Sequence, residues 1–597
     1  MYLYGMSKPV LDHIPDPLTL RKFDQDQLLD LAAYLRKAII DSLAKGEGHL
    51  GSSLGTVELS IALHYVFNTP DDLLLWDVGH QAYGHKMLTG RKAAFDQLRQ
   101  LGGISGFPKR EESPYDVFGT GHAGTAISAA LGMAISAKLQ SIERHHIAVI
   151  GDASIANGMA FEALNHLGTT NANVLIVLND NSMGIDPSVG ALKNYFDAVK
   201  KEKANLPNFF QNLNITYSGP IDGHDLDLLV NYFKEEKKQS GPRLLHLVTK
   251  KGKGLPIAEN KQVTYHAPGK FDPLTGKLNP ANGKQKIKFQ DIFGKTLKFL
   301  AKRNAKIVAI TPAMPTGSGL VEMMEEFPER CIDVGIAEQH AVTLASGMAT
   351  QGLVPFCVIY STFLQRSYDQ IIHDVALQKL PVVFCIDRAG IVGHDGPTHH
   401  GVFDMAYLRC IPNLIIAAPR NAKVLQDLIY TAQLGLDQPL AIRYPRGYSQ
   451  LDELSFNFEK TEWGKGEQLK TGSRFALLSI GTLAQTISES LTKLVNSEWF
   501  AHFDLGFVKP LDAEMLHGIF KNYERIIVFE EGTVKGGVGS AVLEFGTLHQ
   551  YSTPVDLEGV PDEFVTHGTT QKLLENLGLD VHGICKKLNS VSNKNKE

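Results

Sequence analysis

Short apolar runs alternate with helical patterns along most of this chain. Helical spacing first shows at Leu28, Leu31, Leu35 and Ile39, within Gln27–Leu43, because residues three or four apart share one helix face. Strand-like runs follow at Ile147–Ile150, Val174–Leu178, Leu244–Val248, Ile307–Ile310, Val382–Ile386, Leu414–Ala417, Ala476–Ser479 and Ile526–Val528. These runs are apolar throughout rather than alternating. That pattern predicts parallel strands covered on both faces by helices. The expected fold class is α/β, with mainly parallel sheets flanked by helices.

Pro9, Pro15 and Pro17 interrupt the start, which reads as an extended arm. Two shifts in composition predict boundaries. Ala267–Lys288 is rich in Gly, Pro, Lys and Asn, and Ser455–Ser473 is polar and glycine-containing. Three domains are expected, near 1–285, 286–460 and 461–597. Val189–Pro207 is polar and Lys-rich, and reads either as a mobile surface segment or as an ordinary solvated helix.

The 597 residues are 43% hydrophobic and 21% charged, which suits large cores and argues against bulk disorder. Lys and Arg number 59 against 64 Asp and Glu, for a net charge of −5. That balance argues against a dedicated nucleic-acid binder. No stretch approaches the ~18 uninterrupted apolar residues of a membrane helix. The first residues lack a basic start, an apolar run and a cleavage site. The five cysteines are scattered and form no CxxC pair. A cytoplasmic, reducing location is expected, without a membrane or nucleic-acid partner. No GxxxxGK[ST] loop marks a nucleotide hydrolase.

The most informative segment starts at His146. An apolar strand ends in Gly151-Asp152, a helical run follows (Gly158–Gly168), and a second strand, Val174–Leu178, ends in Asn179-Asp-Asn181. This strand–helix–strand unit places Asp152 and Asn181 at the carboxyl ends of parallel strands, where open α/β sheets bind ligands. A carboxylate and an amide carbonyl are hard oxygen donors that suit Mg²⁺. Alone, Gly-Asp after a strand is more often a turn; the pairing with Asn181 favours the metal. Gly119-Thr-Gly-His-Ala-Gly-Thr125 opens the small-residue helix Ala126–Ala137, a place where backbone N–H groups attract anions. Asp77-Val-Gly-His80-Gln-Ala-Tyr is a further glycine-containing loop in which His80 could meet a phosphate. Downstream, Asp333-Val-Gly-Ile-Ala-Glu338-Gln-His340 reads as a strand end leading into a helix. By position alone Glu338 would be a helix N-terminal charge.

These strings resemble those of the transketolase-like thiamine-diphosphate enzymes. Among those they are most similar to the 1-deoxy-D-xylulose-5-phosphate synthases, essentially over the whole chain. The motif Gly-Asp-Gly…Asn is met by Gly151-Asp-Ala153…Asn181, with alanine at the second glycine. Gly335-Ile-Ala-Glu-Gln-His-Ala-Val, Tyr360-Ser-Thr-Phe-Leu-Gln-Arg366, Asp387-Arg388-Ala-Gly-Ile-Val-Gly, Tyr407-Leu-Arg-Cys-Ile-Pro and Arg443-Tyr-Pro-Arg446-Gly carry the resemblance further.

The resemblance implies a three-domain transketolase-like fold that binds thiamine diphosphate and Mg²⁺. Asp152, Asn181 and the Met183 carbonyl would hold the metal. His80, Gly121, His122, Ala123, Ala153, Ser154, Asn181 and Ile185 would line the cofactor, with Phe363 stacked on its aminopyrimidine. Leu255 stands where the family often has Tyr, so only apolar contact is expected from it. Glu338 would exchange a proton with the aminopyrimidine ring and so activate the cofactor. The substrates implied are pyruvate and D-glyceraldehyde 3-phosphate, condensed with loss of carbon dioxide in the first step of the non-mevalonate isoprenoid precursor route. Arg366, Arg388 and Arg446, helped by Tyr360, would clamp the phosphate. His49, His266, Asp395 and His399 would meet the reacting oxygens or move protons. His400 stands where the family often has Gln, which leaves open which of the two adjacent histidines faces the substrate. A homodimer is implied, with the site formed by the first two domains of one chain and a packing role for the third.

Overall fold

The computed structural model describes residues 17–201, 208–279 and 286–594. Most of the arm expected at the start lies outside the described residues. Its last proline, Pro17, opens a short helix, Pro17–Leu20. Two compact units result, residues 1–281 with 335–337, and residues 282–334 with 338–597.

The first unit is built on five strands: β1 (Leu73–Trp76), β2 (His146–Gly151), β3 (Val174–Asp180), β4 (Thr216–Asp222) and β5 (Pro242–Val248). They are all parallel, in the order β1-β2-β3-β5-β4. Alternate side chains of a strand face opposite ways, and both faces here are covered. Ile147, Val149, Leu175 and Val177 join one core with the helix Gln25–Ala44, while Ala148, Ile150, Ile176 and Leu178 join another with Ala126–Leu139. This two-sided burial is why the inner strands β2, β3 and β5 carry largely apolar runs. The polar stretch after Val189 holds the helix Ala191–Lys200; residues 202–207 lie outside the described residues.

In the second unit one sheet contains β6 (Ile307–Thr311), β7 (Cys331–Asp333), β8 (Val354–Tyr360), β9 (Val383–Ala389), β10 (Ile415–Ala417) and β11 (Leu440–Pro445). Another contains β12 (Glu467–Lys470), β13 (Phe475–Ser479) and β14 (Phe500–Asp504), then, after β15 (Phe507–Lys509), β16 (Arg525–Thr533) and β17 (Val555–Val560). The strand β15 leaves that second sheet and pairs antiparallel with β10 of the first. The expected linker Ser455–Ser473 is therefore not wholly a linker, since β12 inside it forms a sheet edge antiparallel to β14. Among the described residues no helix is long and apolar enough to cross a membrane.

In both units the residues of interest follow the carboxyl ends of adjacent parallel strands. Asp77 follows β1, Asp152 follows β2, Asn181 follows β3 and Lys251 lies just beyond β5. Glu338 lies beyond β7, Phe363 and Arg366 beyond β8, and Arg446 directly after β11; Arg388 lies at the end of β9. The topology thus gathers each set at one sheet edge.

Candidate active site

In the first unit two neighbouring acids are sorted by their partners. Asp180 is paired with Lys200 Nζ at 3.0 Å and with His246 Nε2 at 3.0 Å. Asp152 receives only the Ser188 hydroxyl at 2.8 Å and the Asn181 N–H at 3.3 Å. Burial, then the charge of Asp180, push Asp152 up to about 7. A buried carboxylate in this state is stabilised by a cation. Asn181 Oδ1 accepts from Met183 N–H at 3.0 Å, which folds the turn that carries Met183. Ala153 lies outside the left-handed region of backbone space, so alanine is accommodated in this turn without strain. Ile185 is half-buried, whereas Leu255 sits in the apolar core with Ala258, Tyr265 and Phe271.

Lys251 was not singled out from the sequence, although it begins the Lys-Gly-Lys-Gly254 string after β5. Its ammonium is buried and donates to the Gly184 carbonyl at 2.6 Å. Burial lowers it to about 8, against the pull of Asp152 and Asp186. It also bears on two histidines. His80 is pushed down to about 3 by burial and by Lys251, and His266 falls well below its ordinary value for the same reasons. Both are neutral imidazoles at neutral pH. Their rings lie 5.7 Å apart, and His49 lies 6.0 Å from His80 and 5.5 Å from His266.

The glycine-rich segment Gly121–Ala123 is positioned by Asp77. Its carboxylate accepts from the N–H groups of Gly124 (2.9 Å) and Ala126 (3.0 Å). The start of the helix Ala126–Leu139 is therefore capped from within the protein. Two N–H groups of that segment, those of Gly124 and Ala126, are thus taken by Asp77. Three groups are left orphaned, one of them in this segment: His80 Nδ1, Thr120 Oγ1 and His266 Nδ1 are buried with no hydrogen-bond partner in the protein. Each such group costs about 1–3 kcal/mol unless a ligand satisfies it. Orphaned donors and acceptors, a buried cation and the Asp152–Asn181 oxygen set together fit a diphosphate cofactor carrying a divalent metal.

A second network holds the wall of this region. Asp116 accepts from Arg91 Nη1 (2.7 Å) and Nη2 (2.8 Å), from the Lys109 N–H (2.8 Å) and from His85 Nε2 (2.9 Å). It pins the segment whose Phe107 ring lies 5.2 Å from His49. Tyr83 braces the other side, its hydroxyl 3.3 Å from His49 N–H. The ion pair and hydrogen bonds depress Asp116 far below the carboxylate range, despite its burial. Its stabilisation is therefore present above the unfolded value near pH ~4 and lost as pH falls towards the folded one. Asp116→Ala strands Arg91 in the interior and is expected to cost about 3–5 kcal/mol. Urea titration at pH 7 checks this, and a loss below 1 kcal/mol would show that the network carries little.

In the second unit Glu338 begins the helix Glu338–Thr350 and is 5% exposed. Its Oε2 lies 4.0 Å from Arg366 Nη1, beyond hydrogen-bond range. Burial raises Glu338, and the Arg366 charge opposes this in part. Tyr360 and Phe363 stack with ring centres 5.9 Å apart, and His399 meets Phe363 edge-on at 5.5 Å. The Arg388 guanidinium lies 4.3 Å from the Tyr360 ring centre and donates to the Gly317 carbonyl at 2.8 Å. Arg388 itself has φ 58°, a strained position for a non-glycine residue. Arg446 Nη1 lies 3.8 Å from Asp395. The two histidines are also told apart. His400 is 2% exposed, its Nδ1 accepts from Val392 N–H (3.1 Å) and its Nε2 donates to the Thr566 carbonyl (3.0 Å). Both its nitrogens are used in the interior, and it is His399 that sits against Phe363.

Similarity to known proteins agrees with this chemistry. Residues 11–206 and 197–249 match a family model for 1-deoxy-D-xylulose-5-phosphate synthase. Residues 285–450 match the transketolase pyrimidine-binding domain, and 464–584 the transketolase C-terminal domain. A curated 1-deoxy-D-xylulose-5-phosphate synthase from Cytophaga hutchinsonii is 50% identical over 98% of this chain and 98% of its own. One from Bacteroides thetaiotaomicron is 48% identical over 97% of this chain and 96% of its own. A solved transketolase from Campylobacter jejuni is 19% identical, covering 95% of this chain and 100% of its own, at a TM-score of 0.44. With identity near one residue in two sustained from end to end of both chains, this chain belongs to the 1-deoxy-D-xylulose-5-phosphate synthase family.

Proposed function

We propose that this chain condenses pyruvate with D-glyceraldehyde 3-phosphate, releasing carbon dioxide and forming 1-deoxy-D-xylulose 5-phosphate, the first step of the non-mevalonate isoprenoid precursor route. Bound thiamine diphosphate supplies the carbon nucleophile and electron sink that no side chain offers. Asp152, Asn181 and the Met183 carbonyl would hold Mg²⁺, a hard cation suited to these oxygen donors and to a diphosphate. His80, Gly121, His122, Ala123, Ala153 and Ser154 surround the cofactor, and Ile185 braces it with an apolar surface; Leu255, packed in the core, contributes apolar contact only.

Glu338 holds a proton at its buried carboxyl, where it would serve as the acid–base partner of the cofactor's pyrimidine ring. Phe363 offers that ring a flat face. Arg366, Arg388 and Arg446, with Tyr360, bind the phosphate of the aldehyde. Asp395 and His399 orient its hydroxyl and carbonyl oxygens. His49 and His266, the latter kept neutral by burial, move protons to and from the reacting oxygens.

One observation carries the reading furthest: Glu338 stands buried at a sheet's carboxyl edge, its Oε2 4.0 Å from Arg366 Nη1 and so not hydrogen-bonded to it. Its carboxyl is thus set to carry a proton rather than to close a salt bridge.

The three-part division near 1–285, 286–460 and 461–597 is supported by the three sheets, although β15 ties the last two parts into one unit. A homodimer in the cytoplasm is the setting proposed for the enzyme. All five cysteines are free, which suits a reducing compartment. The test is product identity. With Mg²⁺ and thiamine diphosphate, pyruvate and glyceraldehyde 3-phosphate should yield a five-carbon deoxyketose phosphate by mass spectrometry. Two-carbon transfer from a ketose phosphate, with no reaction of pyruvate, would assign the chain a transketolase activity instead.

A further inference from the structure

The side chains assigned above to the aldehyde substrate converge on one loop, Gly390–Gly401, which follows β9. Asp395 and His399 lie in it and Arg388 leads into it. Arg446 reaches it through the Val392 carbonyl at 3.1 Å and through Asp395. The two ends of the loop pair with each other, Gly390 N–H to Gly401 carbonyl at 2.7 Å and the reverse at 2.8 Å. Most of its further backbone bonds close within the loop or on Thr362 and Arg446, and the C-terminal segment grips it at a few defined points.

Ile391 N–H donates to Glu531 Oε1 at 2.7 Å. Val392 N–H donates to His400 Nδ1, and His400 Nε2 passes the link on to the Thr566 carbonyl. Just past the loop, Thr533 N–H donates to the Val402 carbonyl at 2.8 Å. Arg443 ties both sides together, its Nη2 lying 3.4 Å from the Gly401 carbonyl and 3.3 Å from the Glu531 carbonyl. The approach is close enough to forbid side chains. A Cβ on Gly390 would fall 2.3 Å from Glu531 Oε1, and one on Gly396 would fall 2.9 Å from His567 Cβ. Both glycines have positive φ. Glu531 and Thr533 belong to β16, and Thr566 and His567 to the loop after β17, so the mould for this loop comes from the last 70 or so residues.

We propose that the C-terminal segment is the positioning frame of the aldehyde site, gripping the loop through Glu531 and, by way of the Thr566 carbonyl, through the loop's own His400; these two are the positioning residues. They fix the backbone of Gly390–Gly401, so that Asp395, His399 and Arg446 are presented to the phosphorylated aldehyde in one conformation. Neither touches substrate; each acts through main-chain hydrogen bonds. The inference rests on the substrate reading given for those three side chains. It gives the C-terminal segment a part in catalysis besides packing. It also gives a reason for His400: an imidazole with one acceptor and one donor nitrogen spans Val392 N–H and Thr566 C=O. A glutamine amide offers the same two functions.

The test uses the full-length holoenzyme with His400→Leu, His400→Gln, Glu531→Ala and, as a direct-contact control, Arg446→Ala. Steady-state kinetics with each substrate are combined with hydrogen exchange of peptides covering residues 388–402. A thermal shift on adding Mg²⁺ and thiamine diphosphate reads cofactor binding. His400→Leu and Glu531→Ala are expected to speed exchange in the loop and to raise KM for glyceraldehyde 3-phosphate about tenfold or more, since small misplacements of binding groups are costly. KM for pyruvate and the cofactor-induced shift should stay within about twofold of wild type, and His400→Gln should restore the aldehyde KM.

Faster loop exchange with an unchanged aldehyde KM, while Arg446→Ala raises it, would overturn the proposal and leave the substrate reading standing. An unchanged aldehyde KM in all of them, Arg446→Ala included, would overturn the substrate reading and the proposal with it. Equal loss of every kinetic parameter and of the cofactor shift would mark a general structural role and also overturn the proposal.

Discussion

Glu338→Gln lowers turnover by about 10²–10⁴-fold, the range typical of losing a positioned acid–base group, and leaves the chain no less stable. The argument has two parts. Function requires a carboxyl that can hold and release a proton at one place, and glutamine fills the same space without that ability. Stability moves the other way. Burial raises Glu338 above its unfolded value, with the Arg366 charge opposing only in part. A carboxyl raised in this manner opposes folding at any pH above its unfolded value near ~4.3. Removing the charge therefore keeps or raises the melting temperature. Cofactor affinity should persist, since the proposed metal ligands Asp152 and Asn181 are other residues. Single-turnover assays beside differential scanning fluorimetry check all three expectations. A Glu338→Gln enzyme within tenfold of wild type would remove this residue from the mechanism.

Asp152→Asn abolishes the stabilisation that Mg²⁺ and thiamine diphosphate confer together. For the unaltered chain, ligand at 100 times its Kd adds about 2.7 kcal/mol. Asp152 is the acid left without a strong counter-charge, Asp180 having Lys200 and His246. Asparagine keeps an oxygen but loses the charge that a hard dication needs. The ligand-free variant should be as stable as the ligand-free parent, because a buried, poorly compensated carboxylate has been neutralised. Melting curves with and without both ligands test this. An Asp152→Asn chain that still shows the full ligand-induced shift would place the metal elsewhere.

How much of this was legible before the structure depended on where the information resides. The eight apolar runs were readable as strands because both faces of each sheet are buried. Edge strands were not. β4 reads Thr-Tyr-Ser-Gly-Pro-Ile-Asp and β12 reads Glu-Gln-Leu-Lys, and neither is fully buried, so neither carries an apolar run. Asp152, Asn181 and Glu338 stood out because each follows a strand in a distinctive string.

Residues whose roles depend on long-range partners stayed hidden. Lys251 looked like one more lysine in a basic run until its burial beside Asp152 and His80 was seen. Nothing local at the glycine-rich helix start shows that Asp77, 47 residues away from Gly124, takes two of its N–H groups. Local spacing could not rank His399 against His400, since the carbonyl that engages His400 is that of Thr566, 166 residues away. The departure at Ala153 likewise needed the backbone, which is not left-handed there.

The central claim is tested most directly by carbon dioxide release from labelled pyruvate. The full chain is supplied with Mg²⁺ and thiamine diphosphate and assayed with and without glyceraldehyde 3-phosphate, with Glu338→Ala beside it. The account predicts release that rises with the aldehyde, matches formation of a five-carbon deoxyketose phosphate, and vanishes in the variant. Release that ignores the aldehyde, or no release from pyruvate while a ketose phosphate donates two carbons, would contradict it.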